Sequence, residues 1–479
     1  MSGSCWRLLA ALSGVLAVFG CANVGVGTSP APRHVILFLG DGMGVSTVTA
    51  ARILAGQRAG NAGEEHVLPF ETFENVALVK TYNTDAQVAD SAGTMSAIMT
   101  GEKTRIGVFG IHADVPYDDC RGALANELPT LLEEAEDRGF ATGVVSTARI
   151  THATPAATYA HAPNRNWEAD VAMPKSAMDA GCRDIARQLV EFTHGDGIDV
   201  ILGGGRAPFL PNDTEDPEYP GAHGARRDGR NLLDAWASAT DGRHVVWNRS
   251  QLAALPATGQ VLGLFEPSHM QYEADRDDGP GGEPSIAEMT AFAIDRLAAR
   301  AADTGKGYFL MVEGGRIDHA HHEGNAYRSL TDAVAMAEAV QVAMDRTDPA
   351  DTLILVTADH SHTLTIGGYP RRGNPILGKV DSATGEPATD AQGRPYTTLS
   401  YANGPGYRED LPDLTAVDTE AMDYLQVATL PLSAETHAGE DVAAYARGPN
   451  ADRLRGVIEQ NIIYHIMRGA LFTGERVKR

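Results

Sequence analysis

The stretch HVILFLGDGMG, His34 to Gly44, decides the fold. The apolar run Val35 to Leu39 shows no alternation, stops at Gly40 and is followed by Asp41. A strand that is apolar on both faces belongs inside a sheet covered on both sides. The same pattern returns along the chain: GVVSTARITHATP (143–155), IDVILGGGR (198–206), GYFLMVEGGRIDHAHH (307–322) and TLILVTADHSH (352–362). Helical periodicity fills the intervals, in LPTLLEEAEDRG, CRDIARQLVEFTH, SIAEMTAFAIDRLAARA and AYRSLTDAVAMAEAVQVAMDRT. Strands alternating with helices predict an α/β fold, a large and mostly parallel sheet with helices on both faces.

Ligands of such sheets bind beyond the carboxyl ends of the strands. Acids and histidines stand at those ends here: Asp41, Thr154 after His152, Glu313, Asp318 with the histidines behind it, and Asp359–His360. A capping role explains one such residue, not the set. Asp318 and His322 are four apart, so a helical turn puts both on one face. With Asp359, His360 and the distant His437, they form a carboxylate–imidazole set that suits zinc. Asp41, Thr154 and Glu313 offer only oxygen, which suits magnesium.

The stretch QVADSAGTMSA (87–97) has two readings. Asp90 and Ser91 are favoured helix caps. Ser91 among small residues is also an accessible nucleophile, and a helix start adds partial positive charge for an anion. Taken alone the stretch favours the cap and leaves the nucleophile open; the two readings do not compete, and Ser91 can do both.

The chain has 479 residues, 43% apolar and 21% charged, with a formal net charge of −24. This is a globular composition. Its acidity argues against nucleic-acid binding, and any chemistry on anions then needs a local positive centre. Residues 1–21 read as a signal peptide, with Arg7 followed by an apolar run from Leu8 to Phe19 that is too short to span a bilayer. Cys21 follows Val18, Phe19 and Gly20; Val18 and Gly20 fit a lipoprotein cleavage box and Phe19 does not. Residues 22–32 read as a linker. Of the four cysteines, Cys120 and Cys182 are expected to pair in an oxidising compartment, leaving Cys21 for lipidation. The expected location is the periplasm or cell surface, with contact to a membrane only through that lipid. Two stretches read as insertions, Pro211–Asn231 and Gly367 to about Asp423.

The strings LFLGDGMG, VADSAGTMSAIMTG, STARITHATPAATYAHAPNRNW, DVILGGGR, VEGGRIDHAHHEGNA, VTADHSHT and ETHAGEDV carry a resemblance. In this order, from about His34 to about Asp441, they resemble the alkaline phosphatases, most closely the animal-type branch. His152 and His319 stand where the enterobacterial branch has Asp and Lys; GLFEPSHMQYE and the Cys120/Cys182 pair are also animal-like. The resemblance implies one catalytic domain over 33–479, with an inserted crown-like subdomain near 367–423. It implies hydrolysis of phosphate monoesters through a phosphoserine at Ser91, with an alkaline optimum and a broad substrate range. Asp318, His322 and His437 match ligands of a first zinc; Asp41, Asp359 and His360 match those of a second. Asp41, Thr154 and Glu313 match those of a magnesium. Arg165 matches the guanidinium that grips phosphate bidentately. His152 and His319 match positions that reach the magnesium and the phosphate through water. Glu218, the Phe265 carbonyl, Glu266 and Glu283 fall near a calcium site, with Glu283 where the family has Asp. A homodimer is also implied, although the N-terminal arm by which animal enzymes embrace the second subunit is not expected in so short a linker. A phosphodiesterase or sulfatase of the same superfamily, or a non-catalytic metal- or phosphate-binding surface protein, are the rival readings. DSAGT lacks the sulfatase context, and a passive binder needs neither Ser91 nor Arg165.

Overall fold

The computed structural model describes residues 33–279, 281–410 and 413–472. The signal segment, the linker and Cys21 lie outside the described residues.

The expected strands form as β1 (His34–Gly40), β3 (Ala141–Arg149), β4 (Val200–Gly204), β7 (Tyr308–Gly314) and β8 (Thr352–Ala358), with β2 (Asn75–Lys80), β5 (Arg243–Val246) and β6 (Gln260–Leu264) joining them. Two late strands, Val442–Arg447 and Gly456–Glu459, complete a ten-stranded sheet. Its order is Gly456–Glu459, β2, Val442–Arg447, β8, β1, β7, β3, β4, β6, β5. Only Val442–Arg447 runs antiparallel to its neighbours, β2 and β8. The central strand β1 pairs in parallel with β7 and β8. Its residues Val35 to Leu39 are fully buried, as its unbroken apolar run requires.

Local chemistry fixes the covering helices. Ile286–Thr304 begins with a Ser285/Glu288 capping box and ends at Gly305, whose φ of 68° supplies the left-handed turn. Ala326–Arg346 is capped by the Asn325 side chain and turns Leu330, Met336, Ala339 and Val340 into the core. The region after Gly367 contributes Leu399–Gly404 to a three-stranded sheet with Leu364–Ile366 and Ala428–Pro431.

The Cys120–Cys182 disulfide is formed and packs with Trp167, Met173 and Ala177 in a small separate core. Trp167 is two residues beyond Arg165, so this core anchors the loop that carries the guanidinium.

Candidate active site

Four neighbouring strands, β8, β1, β7 and β3, end at one place on the sheet edge. Asp41 follows β1, Glu313 is the last residue but one of β7, and Asp359 and His360 follow β8. Thr154 lies in the short helix Ala153–Ala156 after β3, and Asp318 and His322 lie one turn apart on the helix Arg316–His322. His437 arrives from far along the chain. A two-residue ladder pairs it with His362 and sets Ala438 opposite Ser361.

Three groups of potential ligand atoms converge, each within 4.8 Å: Asp318, His322, His362 and His437; Asp41, Asp318 and His360; and Asp41, His152 and Glu313. The Nδ1 of His437 faces the Ala89 carbonyl at 2.7 Å, and that of His322 faces the Glu435 carbonyl at 2.6 Å. Each carbonyl fixes the proton on Nδ1 and frees Nε2 as a ligand. The two Nε2 atoms meet at 3.2 Å. The His360 ring stacks on that of His437 with centroids 3.6 Å apart. Its Nε2 lies 3.2 Å from Ser91 Oγ, 3.5 Å from Asp41 Oδ1 and 3.2 Å from Asp359 Oδ2. Asp359 Oδ1 is already taken by the N–H groups of Gly42 and His360, which turns Oδ2 toward the cluster.

The electrostatics call for cations. Burial, reinforced by Asp318, Asp359 and Glu313, pushes the Asp41 carboxyl well up. Burial also raises Asp359 and lifts Glu313 to about 7. Burial would raise Asp318 too, but the His322 and His362 imidazoles outweigh it and hold it well below the usual range. Asp41 Oδ2, Asp359 Oδ2 and Glu313 Oε1 are buried without a hydrogen-bond partner. Buried carboxylates crowded in this way are compensated by protons or by metal ions. The residues present therefore fit divalent metals.

Ser91 opens the helix Ser91–Thr100 at its first helical position. The cap is Asp90 instead, whose Oδ1 accepts from Gly93 N–H at 3.1 Å. The double role expected of Ser91 is thereby corrected: the neighbouring carboxylate caps, and the hydroxyl stays directed at Asp41 and His360. Arg165 Nη1 lies 2.9 Å from Asp90 Oδ2, and its Nη2 3.2 Å from His152 Nε2. His152 and His319 stand edge to face, with centroids 5.3 Å apart. Burial and the nearby Arg165 hold His152 well below its ordinary pKa, and burial lowers His319 to about 3, so both are neutral.

Glu218, Glu266 and Glu283 are not among the converging groups. Glu218 is held by Arg206 Nη1 at 2.6 Å, and Glu266 accepts from the Tyr219 hydroxyl. Burial and the neighbouring Glu266 raise Glu283 to about 9. Glu266 thus neighbours both Glu283 and Glu218, and buried carboxylates crowded in this way are compensated by protons or by a cation.

His362 and Glu435 were not anticipated from the sequence. The His362 Nε2 is 2.6 Å from Asp318 Oδ1, and its Nδ1 bonds Glu435. The signal was present in VTADHSHT, where His360 and His362 alternate, but it needs the partner strand to be read.

Imidazoles and acids gathered at the carboxyl edge of an α/β sheet, over a serine at a helix start, define a metal-dependent hydrolase. The family model described as alkaline phosphatase matches residues 32–473. The tissue-nonspecific alkaline phosphatase of Gallus gallus is 48% identical over 453 residues, 92% of this chain and 85% of its own. That of Homo sapiens is 45% identical over 92% of this chain and 84% of its own. The solved alkaline phosphatase of Thermus thermophilus has a TM-score of 0.64 at 24% identity, covering 93% of this chain and 92% of its own. That of the Antarctic bacterium TAB5 has a TM-score of 0.62 at 21% identity, over 92% and 98%. The chain belongs to the alkaline phosphatase family, with its curated relatives on the animal-type branch.

Proposed function

We propose that Ser91 is the nucleophile of a phosphate monoester hydrolase and carries phosphate during turnover. The single observation behind this reading is the placement of Ser91 Oγ beside Asp41 and His360, at a helix N-terminus and next to the Asp90–Arg165 pair. Asp318, His322 and His437 would hold one zinc, Asp41, Asp359 and His360 a second, and Asp41, Thr154 and Glu313 a magnesium. Bound there, the ions supply charge cancellation for the ester dianion and acidify the serine hydroxyl and water. Ser91 attacks phosphorus, the P–O bond to the alcohol breaks, and water later releases phosphate. Arg165, held at Nη1 by Asp90, would grip phosphoryl oxygens with the rest of its guanidinium, a fork that Lys cannot reproduce. Neutral His152 and His319 would order water beside the Asp41, Thr154 and Glu313 side chains and the phosphate.

Acid quench during turnover, followed by mass spectrometry, should place phosphate on Ser91. Ser91→Ala should lose several orders of magnitude in kcat with metals still bound. Phosphate on another residue, or near-normal turnover by the variant, overturns the assignment. Chelation should abolish activity, and zinc with magnesium should restore it.

The same reading makes the protein an exported homodimer, lipid-anchored through Cys21. No helix among the described residues is long and apolar enough to cross a membrane; the attachment proposed is the lipid on Cys21. Cys21→Ser should release active enzyme from the membrane fraction. Sedimentation velocity should give twice the chain mass.

A further inference from the structure

The first zinc set is drawn from two distant segments, the helix Arg316–His322 and the strand His437–Ala438. Glu435 joins them. Its backbone N–H donates to the His322 carbonyl at 2.9 Å. Its own carbonyl faces His322 Nδ1 at 2.6 Å. Its side chain is fully buried and divides its two oxygens. One accepts from Thr363 N–H and from the Thr363 hydroxyl, each at 2.6 Å; the other bonds His362 Nδ1. His362 then reaches Asp318 Oδ1 at 2.6 Å through Nε2. The third ligand, His437, follows two residues later, where the strand His437–Ala438 begins.

Both nitrogens of His362 face carboxylate oxygens, which only accept. Both ring nitrogens are thus engaged by carboxylates, one on each side. Although His362 lies within ligand distance of the first set, its role there is to hold Asp318 and not to bind zinc. The Gly42 backbone packs against this ring so closely that a Cβ there would lie 2.3 Å from His362 Cδ2.

We propose that Glu435 is the positioning residue of the first zinc site, orienting Asp318 through His362 and His322 through its main chain. This rests on the reading that Asp318, His322 and His437 hold a zinc. Outer partners of metal ligands typically carry about 10- to 100-fold in affinity. Zinc titration of the full chain against a competing chelator tests the idea. Wild type should show two tight zinc classes; if it shows none, the zinc reading itself fails. Glu435→Gln should weaken one class about 10- to 100-fold and leave the other unchanged. The metal-free unfolding midpoint should stay near that of wild type, and excess zinc should restore turnover. His362→Gln provides the second arm should Glu435→Gln not fold, and it should show the same selective loss. The double variant should lose no more than the worse single one. Wild-type zinc affinity in either variant, equal weakening of both classes, or additive losses would overturn the relay.

Discussion

Asp90 Oδ2 lies 2.9 Å from Arg165 Nη1, while Oδ1 of the same carboxylate caps the helix that begins with Ser91. One side chain thus fixes the start of the nucleophile's helix and docks the phosphate clamp beside it. Asp90→Asn keeps an acceptor for the cap but points an amide at the guanidinium. KM for a monoester and the inhibition constant of inorganic phosphate should rise together, by about 10- to 100-fold, or ~1.5–3 kcal/mol for a charge-assisted hydrogen bond. Steady-state kinetics with phosphate inhibition checks this, and an unchanged phosphate constant contradicts it.

Arg165→Lys keeps the charge and loses the fork. Monoester turnover and phosphate inhibition should weaken in parallel, with diester hydrolysis less affected because a diester offers fewer free oxygens. Paired assays on a matched chromogenic monoester and diester decide; equal losses on both argue against the clamp.

The Cys120–Cys182 bridge closes a separation of 62 residues and braces Trp167 beneath the Arg165 loop. A loop of that size stabilises by about 4 kcal/mol in the chain-entropy account. Replacing both cysteines by serine should lower the denaturation midpoint and raise monoester KM, while zinc content stays constant.

Glu136 is buried with one oxygen taken by the Thr142 hydroxyl and the other unpartnered. Burial, with a further push from Asp199, lifts its carboxyl from an ordinary 4.5 to about 9. Below the ordinary value both states are protonated and nothing is lost. Between there and about 9 the folded protein keeps a proton that the unfolded chain releases, so stability falls as pH rises. The slope from one such group is at most about 1.4 kcal/mol per pH unit. Glu136→Gln should gain on wild type in thermal midpoint from pH 5 to pH 9. A difference that does not vary with pH refutes this.

Gly42 has φ +67°, and an added Cβ would strike the His362 ring. Gly42→Ala should destabilise the fold by about 1–3 kcal/mol from the left-handed backbone alone. It should also lower zinc occupancy, read by metal analysis, because His362 is displaced.

Much of this protein is legible along the chain. An apolar run with no alternation can only be an interior strand, so β1, β7 and β8 were readable, as were the acids at their ends. Asp318 and His322 were readable as a pair because helical spacing is local. Ser91 was readable as a candidate in its own stretch and the family resemblance decided its role, whereas Arg165 came from the resemblance only. The half-exposed strand β2 and the late strands Val442–Arg447 and Gly456–Glu459 went unread, because their pairing, and not their pattern, makes them strands. Tertiary structure alone decided which acid caps the serine helix, since Asp90 and Ser91 are equally good caps until φ and ψ are set. It also decided the place of Glu435 and His362. Their contact spans 73 residues and depends on a two-residue ladder between strands. A hydrogen bond of that separation leaves no periodicity in the sequence: direction and distance exist only after the backbone has closed around the site.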